Sequence, residues 1–173
     1  MNFSENSNRF MFTALQEAEK ALDQNEVPIG AVVVYKNQII GKGFNQVEML
    51  NDPTAHAEMI AITAASSHLK SWRFDKCDIY VTIEPCIMCT GAMLAARIRN
   101  LFFAEFDPKF GACGSLYNLA EEKKYNHKIN VYSGLFAVES RNLLKMFFEK
   151  LRKANESQNN MAEIYKLPKQ SKN

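Results

Sequence analysis

Two segments of this 173-residue chain carry residue types at a spacing that could do chemistry: His56-Ala57-Glu58 and Pro85-Cys86-Ile87-Met88-Cys89. Cys86 and Cys89 are three positions apart, which on a helix puts both sulfurs on one face. A helix start offers unpaired N–H groups and partial positive charge, and both favour thiolate, the form that binds metal. One imidazole added to two thiolates makes a set of soft-to-borderline ligands that suits zinc. Three protein ligands rather than four leave a position for water, the arrangement of a catalytic centre. Glu58, two residues from His56, is then placed to take a proton from that water and pass it to a leaving group. Zinc brings the pKa of such a water to about 7.

Alone, Cys-x-x-Cys is a modest signal, shared by structural zinc sites and redox pairs, and His-x-Glu is close to uninformative. Together, with a proline ahead of the first cysteine and a helix start at each segment, they are specific. A structural site would want a fourth ligand. His68 and His127 lie in no ligand-like motif and are expected at the surface or as caps. Cys77 and Cys113 are expected as small buried side chains.

The elements that must position these residues follow from periodicity. Asn8–Gln24 places Phe10, Met11, Ala14, Leu15, Ala18 and Leu22 at helical spacing. Ile29–Tyr35 and Gln38–Asn45, joined at Lys36-Asn37, form a hairpin. Asn51-Asp52-Pro53-Thr54 caps a helix running to about His68. Asp78–Ile83 is a buried strand, and Pro85 opens a helix through about Arg97. Leu101–Phe106 is a strand, Asp107–Gly114 a loop, Ser115–Ala120 a short helix and Lys128–Tyr132 a fifth strand. Ala137–Ala154 is a long closing helix, with a last short helix around Met161–Tyr165. Strands joined by crossover helices predict a three-layer α-β-α architecture, a mixed five-stranded sheet with helices on both faces. Residues 1–153 are one domain, and 154–173 a polar, basic tail.

The length suits one full hydrophobic core, and 47% hydrophobic with 23% charged residues excludes a mostly disordered chain. No apolar run approaches the roughly 20 residues of a membrane helix, and the polar start lacks the pattern of a secretory signal. A cytoplasmic protein is the expectation, with thiols reduced or metal-bound rather than paired. The net charge of +2 is uneven. Residues 1–120 carry 10 basic and 13 acidic side chains (−3), and residues 121–173 carry 11 and 6 (+5). The basic end is compatible with a polyanionic partner or with a solvated helix face.

From about Arg9 to Arg152 the chain resembles the tRNA-specific branch of the cytidine-deaminase superfamily. The resemblance rests on Glu26-Val27-Pro28-Ile29-Gly30-Ala31-Val32, Asn51-Asp52-Pro53-Thr54-Ala55 before His56, and Tyr80-Val81-Thr82-Ile83-Glu84 before Pro85. Thr90-Gly91-Ala92-Met93 after Cys89, Asp107-Pro108-Lys109-Phe110-Gly111 and Asn126-His127-Lys128 continue it. It implies a homodimer with one zinc ion per subunit, converting adenosine to inosine at the wobble position of an arginine tRNA. It implies His56, Cys86 and Cys89 as ligands and Glu58 as proton shuttle. It also implies Asn45 on the flipped nucleotide, Asp107 near the ribose, and Phe148 and Arg152 near the RNA. Beside the ligands, backbone groups of Ala57 and Glu84 are expected to read the base edge. Lys109, Lys145, Lys150, Arg152 and Lys153 are expected on phosphates, and one of Phe147 and Phe148 in the core. Gln46-Val47, Cys113 and Leu151 depart from the family pattern where the RNA is gripped. The rival substrates are a free base or nucleotide such as guanine, cytidine or dCMP. The rival class is a zinc-stabilised RNA-binding module without catalysis.

Overall fold

A computed structural model describes the backbone of residues 3–164 and the side chains of residues 3–156. The elements are α1 (Glu5–Asp23), β1 (Gly30–Tyr35), β2 (Gln38–Phe44), α2 (Val47–Leu50), α3 (Ala57–Leu69), β3 (Cys77–Ile83), α4 (Ile87–Ala96), β4 (Asn100–Glu105), β5 (Asn130–Ser133) and α5 (Ala137–Ile164). The sheet runs in the order β2-β1-β3-β4-β5. β1 pairs antiparallel with both β2 and β3, while β3, β4 and β5 are parallel, so the sheet is mixed as expected.

β1 shows why helices cover both faces. Its alternate side chains point opposite ways, and both sets are buried. Ala31 and Val33 join Ala57, Ala61, Cys89 and Met93 in one core layer. Val32 and Val34 join Phe10, Met11, Ala14 and Tyr80 in the other. α3 and α4 therefore lie on one face, α1 and α5 on the other. The β1–β2 hairpin turns at Lys36 and Asn37, both at positive φ (47° and 64°), the turn whose twist suits a two-residue connection.

Four details depart from expectation. α3 starts at Ala57 rather than at the Asn51–Thr54 turn, because Asp52 Oδ1 accepts from the Thr54 N–H (2.8 Å) and hydroxyl (2.7 Å) and closes a separate turn. Val47–Leu50 forms the short helix α2, unanticipated in the sequence. Ser115–Ala120 is not helical: the Leu119 N–H, which a helix would pair with the Ser115 carbonyl, donates to the Ala112 carbonyl (2.9 Å), and Cys113 bridges Asn118. α5 runs unbroken from Ala137 to Ile164, where a frayed tail and separate last helix were expected. Tyr165 and the rest of the tail lie outside the described residues. Among the described residues no helix is long and apolar enough to cross a membrane.

Candidate active site

His56 and Cys86 both sit at helix N-caps, and the reason is local. Pro85 keeps Glu84 out of the helical region, and Cys86 is itself extended, so α4 begins at Ile87. Cys86 is the N-cap of α4, with extended backbone (φ −74°, ψ 176°), and Cys89 falls in its first turn. His56 is the N-cap of α3, also extended (φ −73°, ψ 152°). Neither side chain makes a capping hydrogen bond to its own helix. Ring and thiol are left free for another partner, and the positive ends of two helices converge on them.

α3 reaches this position by close backbone contact with β2. A Cβ on Gly43 would lie 2.3 Å from the Ala57 carbonyl oxygen, and one on Gly41 the same distance from that of Ala61. Only glycine lets the helix lie this close to the strand. Ala57, Ala61 and Ala65, four residues apart, form the small-residue face that makes the contact.

His56 Nδ1 lies 3.8 Å from Cys86 Sγ and 3.6 Å from Cys89 Sγ. All three atoms are within 4.8 Å of one another, close enough to hold one metal ion. The hydrogen bond from the Cys89 thiol, against the opposing effect of burial, brings the Cys86 thiol down to about 4. Cys89, bonded to that thiolate and buried, is pushed up. His56 is raised by its hydrogen bond to Cys86. The two sulfurs thus share a proton that a metal ion would displace. Glu58 is buried, 3% exposed, and that burial raises its carboxyl pKa. A carboxyl raised this way keeps a proton more readily than one in water, as a proton carrier must.

His56, Glu58 and Cys86 line a cavity of about 670 Å³, within the usual size of a small-molecule site. Asn45, Glu84, Asp107, Lys109 and Phe148 line it too. Phe147 is the core member of its pair (6% exposed), and Phe148 is 45% exposed at the cavity. Ala57 and Arg152 are outside the lining. Ala57 is fully buried against β2, and Arg152 is an exposed residue of α5.

Glu84 differs most from its expected part. Its N–H is committed to the Glu105 carbonyl (2.8 Å), leaving the carbonyl as its backbone group for a ligand. Its buried carboxylate accepts the N–H groups of Asp107 (3.1 Å), Cys113 (2.9 Å) and Ser115 (2.9 Å), and the Ser115 hydroxyl. One side chain therefore shapes the whole 107–115 loop. Gly111 is part of that geometry, since a Cβ there would meet Glu84 Oε2 at 2.3 Å.

Glu26, in the α1–β1 connection, escaped notice as a site residue. It is 1% exposed, accepts Asn45 Nδ2 (2.9 Å) and the Met49 N–H (2.7 Å), and lines the cavity. With Nδ2 held there, the amide presents Oδ1 on its other side, as an acceptor. A lone acid just before the apolar run Val27–Val34 was the signal in the sequence, but nothing local links it to Asn45. Phe110, 68% exposed, also lines the cavity and was missed. The spare histidines behave as expected: His68 is exposed, and His127 Nε2 meets the Ile98 carbonyl at 2.6 Å.

This fold and this site define a deaminase of the cytidine-deaminase-like α/β class. The family model of the MafB19-like deaminases matches residues 5–152. The tRNA-specific adenosine deaminase of Bacillus subtilis (strain 168) is 43% identical over 144 residues, covering 83% of this chain and 89% of its own. That of Aquifex aeolicus (strain VF5) is 43% identical over 143 residues, covering 83% and 94%. A structure solved in studies of A-to-I editing by tRNA:A34 deaminases at the wobble position of transfer RNA matches with a TM-score of 0.76 at 43% identity, over 79% of this chain and 99% of its own. The chain belongs to the family of tRNA-specific adenosine deaminases.

Proposed function

We propose that this enzyme hydrolyses adenosine to inosine at the wobble position of a tRNA anticodon, that of an arginine tRNA, using one zinc ion per subunit. What carries the reading is the His56, Cys86 and Cys89 cluster, of which His56 and Cys86 line the same cavity as a buried Glu58. Zinc–sulfur bonds of about 2.3 Å and a zinc–nitrogen bond of about 2.0 Å at tetrahedral angles would put nitrogen about 3.5 Å from each sulfur. The distances of 3.6 and 3.8 Å fit that ion.

When bound, zinc supplies a water acidified to a pKa of about 7. His56, Cys86 and Cys89 would hold the ion. Asn45 Oδ1 and the Glu84 carbonyl are the acceptors that orient the base, which leaves the anticodon stack to enter. Glu58 takes the proton of the attacking water as the C6–O bond forms and delivers it to the ring nitrogen. It then takes the remaining proton from the C6 hydroxyl and gives it to the amine as the C6–N bond breaks, so that ammonia departs and the C6 carbonyl of inosine is left. Asp107, Lys109, Phe148 and the exposed Arg152 meet the RNA around the entering nucleotide.

The enzyme acts in the cytoplasm as a homodimer. α4 supports the dimer: it is apolar on every side, yet Ile87, Gly91 and Ala95 are exposed, and such a helix is normally covered on all faces. Sequencing an arginine tRNA after incubation with the purified protein tests the function, and inosine at the wobble position is the expected result. Faster turnover of guanine, cytidine or dCMP than of an anticodon stem-loop would overturn it.

A further inference from the structure

We infer that Phe110 is a stacking platform for the unpaired base next to the one being deaminated. The inference rests on the RNA reading above and adds a second binding position to it.

Phe110 is 68% exposed, more than any other large hydrophobic residue described, and it lines the cavity that holds the metal ligands. An exposed phenylalanine on a loose loop would mean little, but this one is held. Asp107 Oδ1 accepts the N–H groups of Lys109 (2.8 Å) and Phe110 (3.2 Å), and the Asp107 carbonyl accepts that of Gly111 (2.9 Å). Gly111 is bridged to Cys86, and the Ala112 N–H donates to the Pro85 carbonyl (2.9 Å). Bridged partners have Cα atoms about 5 Å apart and chain neighbours are about 3.8 Å apart. The Phe110 Cα is thus within about 9 Å of that of a metal ligand, the reach of one nucleotide beyond the reacting base.

The ordered backbone keeps the ring in water at no entropic gain to the free protein, so an occupant that covers it gives a reason for the arrangement. Three observations favour a base over an apolar protein surface. The ring is continuous with the catalytic cavity, Lys109 beside it supplies positive charge for a phosphate, and Phe148 on α5 offers a second exposed ring at the same cavity. Stacking on such rings tolerates any base and binds without reading sequence.

The test is steady-state deamination of an anticodon stem-loop by F110A, F110L and F110W. F110A and F110L are expected to raise KM about fivefold or more with little change in kcat, the loss of one stacked base. F110W restores KM, because a planar ring rather than apolar bulk is required. Trp72 is the one tryptophan of the chain, so W72F/F110W reports on position 110 alone, and its emission should be quenched by the stem-loop. Wild-type KM in F110A and F110L would overturn the inference. So would a changed mass by light scattering in F110A, which would assign the ring to a second copy of the chain. The two readings fail separately. A wild-type enzyme that makes no inosine from the stem-loop sinks the function, while quenching of W72F/F110W by that RNA would keep the platform.

Discussion

The proton shuttle proposed for Glu58 can be tested at that residue alone. Glu58→Gln keeps the volume and removes the transferable proton. It is expected to retain metal by elemental analysis and lose roughly 10²- to 10⁴-fold in kcat. Wild-type turnover in that variant would remove the shuttle. His56→Ala and Cys86→Ala should instead lose the metal. The cysteines separate in the same way. Burial pushes the Cys77 thiol to about 11 and the Cys113 thiol to about 12, whereas Cys86 stands at about 4. At pH 8 a thiol at about 11 is ionised in about one molecule in a thousand, and thiolate is the reactive form. Thiol titration of the metal-loaded enzyme is expected to find no fast group, and chelation to release one, absent in Cys86→Ala. A fast thiol in the loaded enzyme would mean that the metal does not hold Cys86.

Elements bring these residues together through backbone contacts that tolerate little change. Gly43→Ala would place a Cβ at 2.3 Å from the Ala57 carbonyl, one residue from His56. Overpacking of this kind costs about 1–3 kcal/mol, and here it displaces the imidazole from the sulfurs. Weaker metal retention under chelator challenge, with a lower Tm, is the expected outcome. Unchanged retention would show that α3 slides without moving its cap. The 107–115 loop depends on Glu84 in the same sense. Glu84→Ala strands three N–H groups and a hydroxyl that now share its carboxylate. Each buried donor left without an acceptor costs about 1–3 kcal/mol. Faster proteolytic cleavage within 107–115 is expected, measured against the same enzyme's cleavage elsewhere.

At the scale of the molecule, charge and substrate reach act together. The exposed Lys109, Lys145, Lys150 and Arg152 belong to the loop and to α5, the elements that flank the cavity or extend from it. Four phosphate contacts to a single strand give log K against log salt a slope of about −3. Arg152→Ala is expected to reduce that slope by about 0.7 in a stem-loop binding assay. A salt-independent affinity would remove the basic surface from RNA binding.

The cluster of His56, Cys86 and Cys89 was legible in the chain because its parts are local. Cys86 and Cys89 fall on one helix turn by spacing alone, Pro85 sets where that turn begins, and Glu58 follows His56 by two residues. The unbroken apolar run of β1 and the periodicity of α1 likewise told their own burial, and with it the layered architecture. What lay beyond reach were interactions between residues far apart in sequence. Glu26 meets Asn45 nineteen positions away, and Glu84 meets Ser115 thirty-one away. No local pattern signals either pair. The Leu119 N–H, taken by the Ala112 carbonyl, likewise overrode the expected helix at Ser115–Ala120. Short-range order follows from dihedral preference and side-chain periodicity, which every stretch of chain carries with it. Which carboxylate finds which distant N–H is settled only when the sheet closes and water leaves, so that choice belonged to the tertiary structure.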